Sequence, residues 1–452
     1  TERLVPPRDG HNTTGEIVPA INGTRGALNI SVYNAPFAQD PLVIETTQEL
    51  PTEFPSNEDM NSGYPLGIGW MQGTYGNGMR SSASTAYIEP VLSRPNLDVL
   101  VETTVTKPIQ TGEASGTPIF RGVQFAMFHA SFSAPKYAMN VTREVILSAG
   151  AVNTPQLLML SGLGPSKTLS SLNIKTIVDL QDVGQHLTDH PFLPTLFGLV
   201  NPDDDILESL ARNATFANDL IEEWASERQC VLTDSTDNHV GWLRIPDDDS
   251  IWTTEQDPNS GPTAPHFEFL FVPGFVLETE TAPTTGSFFT LLTVLVSPSS
   301  RGSVTLASAD PFAKPVIDPN FRDTTFDVYA IRTAVRSAAR FAAARAWNGF
   351  LTGQAGPFAN VDVGSDEDVD AWARAQSWTI WHPVATARMG TCAQTVGNGA
   401  VVNPDATVKG VQGLRVVDAS ILPYIPAAHP QAVIYTFAER IADFIKSGQL
   451  IC

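Results

Sequence analysis

Two histidines, each followed by proline, are the residues of this chain best suited to moving a proton. His382 lies in Trp381-His382-Pro383-Val384, and His429 follows 47 positions later in Ala428-His429-Pro430-Gln431. An imidazole titrates at about pH 6.5 when unperturbed, so in its neutral form it can take a hydroxyl proton near neutrality. Oxidation at the carbon bearing that hydroxyl also needs a hydride acceptor, which no side chain provides and a cofactor must. A histidine before proline is more often a packed or capping residue, and the chain has 8 histidines in 452 residues. Residue type and spacing therefore nominate the pair without assigning it.

The elements that would position these histidines are legible around them. Pro430 suits the first turn of a helix with apolar residues Ile434, Phe437, Ile441, Phe444 and Ile445, closed by Gly448. His429 then falls at the cap, where unpaired N–H groups stabilise negative charge by about 0.3–1 kcal/mol. Between the histidines, Leu414–Val417 reads as a strand ending in Asp418-Ala419-Ser420. Far upstream, Arg143–Gly164 reads as a strand running straight into a helix, with Thr154 as cap, Pro155 at the first helical position and Gly162 past the end. Such a turn aims backbone N–H groups at a crevice beyond the strand's carboxyl end.

Elsewhere, Thr1–Asp40 reads as surface loop with one strand around Ala27–Val32, and Pro41–Pro65 has little periodicity. Five glycines in Gly67–Gly78 imply close backbone approach. Leu97–Lys107 alternates as a strand, and Arg121–Phe128 is expected to pair with Val141–Leu147 around a turn near Pro135. Residues 192–318 suggest short strands with an aromatic run, Phe267–Phe275, and acidic turns Asp203-Asp204-Asp205 and Asp247-Asp248-Asp249, which read as solvated turns rather than metal sites. Thr325–Trp347 and Asp366–Ser377 read as helices.

Several of these segments, in this order, resemble the glucose–methanol–choline (GMC) flavin oxidoreductases, and most closely the aryl-alcohol oxidase branch. They are G-N-G-M-R-S-S-A-S-T-A-Y-I-E-P from Gly76, R-E-V-I-L-S-A-G-A-V-N-T-P-Q from Arg143, D-V-G-Q-H-L-T-D-H-P from Asp182, S-P-S-S-R-G-S-V-T-L from Ser297, H-P-V-A-T-A-R-M-G from His382 and G-L-R-V-V-D-A-S-I-L-P from Gly413. The resemblance implies an α/β plus α+β fold: a discontinuous, incomplete FAD-binding Rossmann-like domain and a second, antiparallel-sheet substrate domain. It divides the chain into a loop-rich lead-in (1–96), part of the FAD domain (97–191), a mainly substrate-binding region (192–376) and a return to the FAD domain (377–452).

By the same resemblance the cofactor is FAD, His382 is the general base and His429 bonds the substrate oxygen. Val105, Asp418, Ala419, His429, Pro430 and Gln431 would contact the cofactor, and Trp381 and Phe275 the substrate. The implied reaction is oxidation of a primary, aromatic alcohol to the aldehyde, with O₂ giving H₂O₂ or a quinone as acceptor. A hydroxynitrile lyase relative or a non-catalytic homologue are the alternatives. The family's G-x-G-x-x-G turn and flavin-side glycine loop find no match, as though the chain started about 150 residues late, roughly one domain. On that pattern the chain as given is expected to hold FAD weakly. Two further departures are Ala385, where the family usually has glycine, and Pro430, where alcohol oxidases often have threonine. His190 and His239 read as structural.

Composition sets the partners and compartment. With 48 acidic and 27 basic residues the net charge is −21, which argues against nucleic acid or an anionic membrane as partner. No apolar run approaches spanning length, and a monomer is expected. Sequons at Asn12, Asn22, Asn29, Asn140 and Asn213, with the resemblance, point to a secreted glycoprotein. Three cysteines lack metal-ligand spacing and leave disulfide pairing open.

Overall fold

The aromatic run beginning at Phe267 becomes a strand, Phe267–Val272, whose side chains are all buried. It lies in an antiparallel sheet ordered Leu351–Gln354, Pro191–Leu199, Phe288–Leu295, Phe267–Val272, His239–Leu243, Gly67–Trp70, with Trp378–Thr379 added beside Pro191 and Phe192. The central strands are covered on both faces, which is why they read as continuous apolar runs. The helix Thr325–Ala342 starts at Thr324, whose hydroxyl accepts the Asp327 N–H. Its buried face places Phe326, Ile331, Val335 and Phe341 in one core with Phe54, Phe269 and Trp347, and Phe341 meets Phe54 edge-on with ring centroids 5.0 Å apart. This computed structural model describes residues 1–202 and 206–452; the acidic triplet Asp203-Asp204-Asp205 lies outside them. The sheet and helix belong to a unit formed by Thr1–Leu97, Pro191–Pro298 and Thr324–Ile380.

Among the helices of this unit are some that periodicity does not announce. Asp40–Glu49 falls in the stretch that reads as irregular. Ala214–Glu227 falls among expected strands and is capped by the Asn213 side chain, which accepts the Phe216 N–H. In the other acidic triplet, Asp247 pairs with Arg244 at 3.2 Å and Asp249 caps a short turn by accepting the Ile251 N–H at 3.0 Å.

The second unit comprises Asp98–His190, Ser299–Asp323 and Trp381–Cys452. Its antiparallel sheet is built from Thr103–Ala114, Thr117–Met127 and Tyr137–Asn140. The strand expected from Leu97 starts only at Thr103, because Glu102 takes a left-handed φ of 53° and breaks the extension. The Arg121–Phe128 segment pairs with Tyr137–Asn140, while Val145–Leu147 leaves that sheet and pairs in parallel with Leu414–Val416. A Cys392–Cys452 disulfide closes the pairing that the sequence leaves open, and Cys230 keeps its thiol.

The helix after Val145–Leu147 is Gly150–Leu160, five residues longer at its start than Pro155 at the first helical position suggests. Gly150, at φ 78°, makes the turn that a residue with a side chain would resist. Thr154 is thereby drawn inside the helix, where its hydroxyl accepts the Ala149 N–H at 3.2 Å and donates to Asp418 Oδ2 at 2.6 Å. Pro155 has no N–H to offer the Ala151 carbonyl four residues back, and Thr386 Oγ1 donates to that carbonyl instead, at 2.6 Å. A distant residue thus repairs the defect that makes proline look like a helix start.

Candidate active site

Thr386 belongs to an extended segment that carries His382 at its head and is hydrogen-bonded along both edges. On one side Val384 and Thr188 exchange backbone bonds of 2.9 and 3.2 Å, and Gly184 donates to Thr386 O at 2.8 Å. On the other, the Ala387 and Met389 N–H groups donate to Ser420 and Ile421, each at 2.8 Å. Trp381 and Ala385 bracket the start of this ribbon at φ 58° and 73°. Ala385 is also 0% exposed. A left-handed φ explains a preference for glycine at 385, since an alanine there costs about 1–2 kcal/mol.

Val384, Ala385 and Leu422 form a small apolar cluster against Val433, Ile434 and Phe437. That contact docks the first turns of the last helix, Gln431–Ser447, capped by Pro430. His429, just before the cap, is thereby brought to His382, with ring centroids 5.2 Å apart and planes at 54°. The His382 main chain is pinned as well: its N–H donates to Asp189 Oδ1 at 3.0 Å, and the His190 N–H donates to the same oxygen at 2.8 Å. His190 Nδ1 stands 3.1 Å from His382 Nδ1, the two rings edge to face. Burial, and then the charge of His429, push the His382 pKa down to about 3. The imidazole is therefore neutral at ordinary pH.

The other nominated residues fall in distinct places. Asp418 lies two residues past the strand Leu414–Val416, and its carboxylate is spent within the protein: Oδ2 accepts Gly150 N–H at 3.0 Å and the Thr154 hydroxyl, and Oδ1 accepts Ser420 N–H at 2.8 Å and its hydroxyl. Ala419 opens the turn Ala419–Ile421, and Gln431 is the first residue of the last helix. Val105 sits on the strand Thr103–Ala114, paired with Phe125. Trp381 is 63% exposed. Phe275 is in the first unit, 8% exposed, with its N–H bonded to Glu208 and its ring edge-on to Phe288 at 5.2 Å; these are core contacts. His239, also in the first unit, is buried with Nδ1 3.2 Å from Asp40. His190 reads as structural from sequence, yet its ring touches that of His382; the D-H-P string was the available signal.

Two features of this unit suit an anionic dinucleotide. The parallel strands Val145–Leu147 and Leu414–Val416 end on the same side, and a Cβ built at Gly150, just beyond them, would meet no protein atom within 4 Å. The last helix presents its N-terminal N–H groups immediately after His429. Among the described residues no group of three or more His, Cys, Asp and Glu could hold a metal ion.

Known proteins share this chain's sequence and fold. Family models described as GMC oxidoreductase match residues 15–192 and 298–438. The chain is 36% identical to dehydrogenase eriK of Hericium erinaceus over 99% of its own length and 74% of that protein's. It is also 36% identical to pyranose dehydrogenase 3 of Leucoagaricus meleagris, over 96% and 70%. Among solved structures, a formate oxidase from Aspergillus oryzae superposes with a TM-score of 0.85 at 28% identity, covering 99% of this chain and 77% of that one. A fungal aryl-alcohol oxidase superposes at 0.80 with 25% identity, covering 98% and 77%. The mixed α/β architecture with its antiparallel sheet is that of these enzymes, and the chain belongs to the GMC oxidoreductases, whose cofactor is FAD.

Proposed function

We propose that the protein oxidises a primary alcohol to the aldehyde, with an aromatic alcohol as the preferred substrate and O₂ as the electron acceptor. The observation that carries this reading is the meeting of His382 and His429 beside a helix N-terminus. His382 Nε2 takes the hydroxyl proton, a role open to it because burial keeps the ring neutral. His429 hydrogen-bonds the substrate oxygen as negative charge gathers there. FAD, when bound, would supply the hydride acceptor for the carbinol carbon and the route by which two electrons reach O₂, with H₂O₂ as the product. The backbone of Val105 would hold the adenine, and the backbone at Asp418-Ala419 and Pro430-Gln431 the flavin end, where the helix N-terminus favours added negative charge. The exposed Trp381 indole, adjoining His382, supports a flat, apolar substrate. Phe275, packed in its core, lends less support to that preference than Trp381.

The relatives named pyranose dehydrogenase favour a second reading, in which the substrate is a sugar and the acceptor a quinone. Steady-state rates with a methoxybenzyl alcohol and with glucose, each under O₂ and under benzoquinone, decide between them; turnover of glucose alone would overturn the first. The same assay run against pH tests the base. With its pKa near 3, His382 is unprotonated above that value, so the acid limb of kcat/KM attributable to it is expected at about pH 3. A limb near pH 6.5 would contradict the assignment. Linkage has the same sign: the unfolded chain binds this proton below about pH 6.5 and the folded one does not, so stability from this site is complete above pH 6.5 and falls toward pH 3.

We further propose a secreted glycoprotein. Asn12, Asn140 and Asn213 are exposed sequon residues, and no described helix is long and apolar enough to cross a membrane. A mass loss on endoglycosidase treatment of protein from the native source is expected, and an unchanged mass would remove the glycan.

A further inference from the structure

We propose that His190 is a positioning residue that holds His382 in the one tautomer able to accept a proton at Nε2, with Asp189 clamping the two residues together. The inference rests on the reading of His382 as the base, but its structural half is independent of any substrate.

The Nδ1 atoms of the two rings are 3.1 Å apart. A hydrogen bond between them requires one Nδ1 to carry its proton and the other to present a lone pair. A neutral imidazole carries a single N–H, so the choice made at Nδ1 dictates the state of Nε2. If His382 donates, its Nε2 is a lone pair and can receive a proton. If His190 donates, His382 Nε2 is already protonated and a further proton could go only to Nδ1, where it would face the N–H of His190. Only the first arrangement survives proton uptake. In it the imidazolium of His382 keeps its hydrogen bond to His190 and gains a partner for part of its charge.

The surroundings make this contact hard to relax. His190 is 0% exposed and Asp189 7% exposed, so little water competes for either ring nitrogen of the inner histidine. Asp189 Oδ1 receives the N–H groups of both residues 190 and 382, which fixes the two backbones relative to one another. Beyond them, the paired bonds between Thr188 and Val384 continue the clamp. The arrangement parallels a catalytic triad in its logic, with a third group orienting the base, but here a neutral imidazole takes the place of the carboxylate.

The test is nitrogen-15 NMR of histidine-labelled protein, feasible with 8 histidines, with His382 signals assigned by their loss in His382→Gln. In the wild type, His382 is expected to show a protonated Nδ1 and an unprotonated Nε2. His190→Leu should release it to a mixture or to the opposite tautomer. His190→Asn, whose amide oxygen can occupy the place of Nδ1, should restore the wild-type signature. In the oxidase assay His190→Leu is expected to lower kcat by about 10²-fold or more with little change in KM, and His190→Asn to recover most of it. A protonated Nε2 on wild-type His382, or an unchanged His382 signature in His190→Leu, would overturn the proposal. Absence of alcohol turnover in the wild type would sink the reading of the function while leaving the NMR result to decide the tautomer. Melting curves of both variants separate a local change from loss of fold.

Discussion

In protein loaded with FAD, replacing His382 with alanine is expected to lower alcohol turnover by about 10²–10⁴-fold without displacing the cofactor. The side chain meets the rings of His190 and His429, whereas the main chain of residue 382 is fixed by the Asp189 carboxylate and the ribbon after it by bonds on both edges. Truncation therefore removes the proton acceptor and leaves its frame. Flavin absorbance per mole of protein should match the wild type, and the loss should appear in kcat and kcat/KM together, as for an interaction made in the transition state. Turnover within a few-fold of wild type would take the base away from His382. Loss of flavin alongside loss of rate would mean that the residue supports the cofactor instead.

The second large effect is expected at Asp418, and it is an effect on folding. Its two carboxylate oxygens receive four donors, from Gly150, Thr154 and twice from Ser420, and both Thr154 and Ser420 are fully buried. Asp418→Ala leaves these donors without an acceptor, at about 1–3 kcal/mol for each that water cannot reach. A total of about 4 kcal/mol is expected, a large part of the roughly 5–15 kcal/mol that holds a domain folded. Asp418→Asn should fall between, since one amide oxygen still accepts while the NH₂ group opposes the donors on the other side. Thermal and urea unfolding would measure both. A melting midpoint for Asp418→Ala within 1–2 °C of wild type, about what a fraction of a kcal/mol produces, would show that the knot is dispensable.

Sequence made some parts of this molecule legible and hid others for identifiable reasons. The last helix and Thr325–Ala342 declare themselves because one face of each must be apolar to reach a core, and their caps are local. Ala214–Glu227 contributes no fully buried residue, so its acidic surface reads as turn. Asp40–Glu49 is largely threonine, glutamate and glutamine between its few apolar positions, which blurs the period. The start of Gly150–Leu160 is hidden in the sequence because the partner that satisfies Ala151 O is Thr386, 235 positions away. At the site, the resemblance nominated His382 and His429, which do lie together. The contact of His190 with His382 spans 192 residues, and no periodicity carries such information.

Ala385 sets a limit on how this stretch of chain can change through descent. A left-handed backbone inside a sealed cluster has room for a hydrogen or a methyl group, and a branched or bulky newcomer would meet both a forbidden rotation and a wall. Four positions earlier the indole of Trp381 stands in the open, where ring size and polarity can vary without disturbing the ribbon beneath. Variants of this protein would thus be expected to take new substrates by exchanging residue 381, while position 385 alternates between the two smallest amino acids.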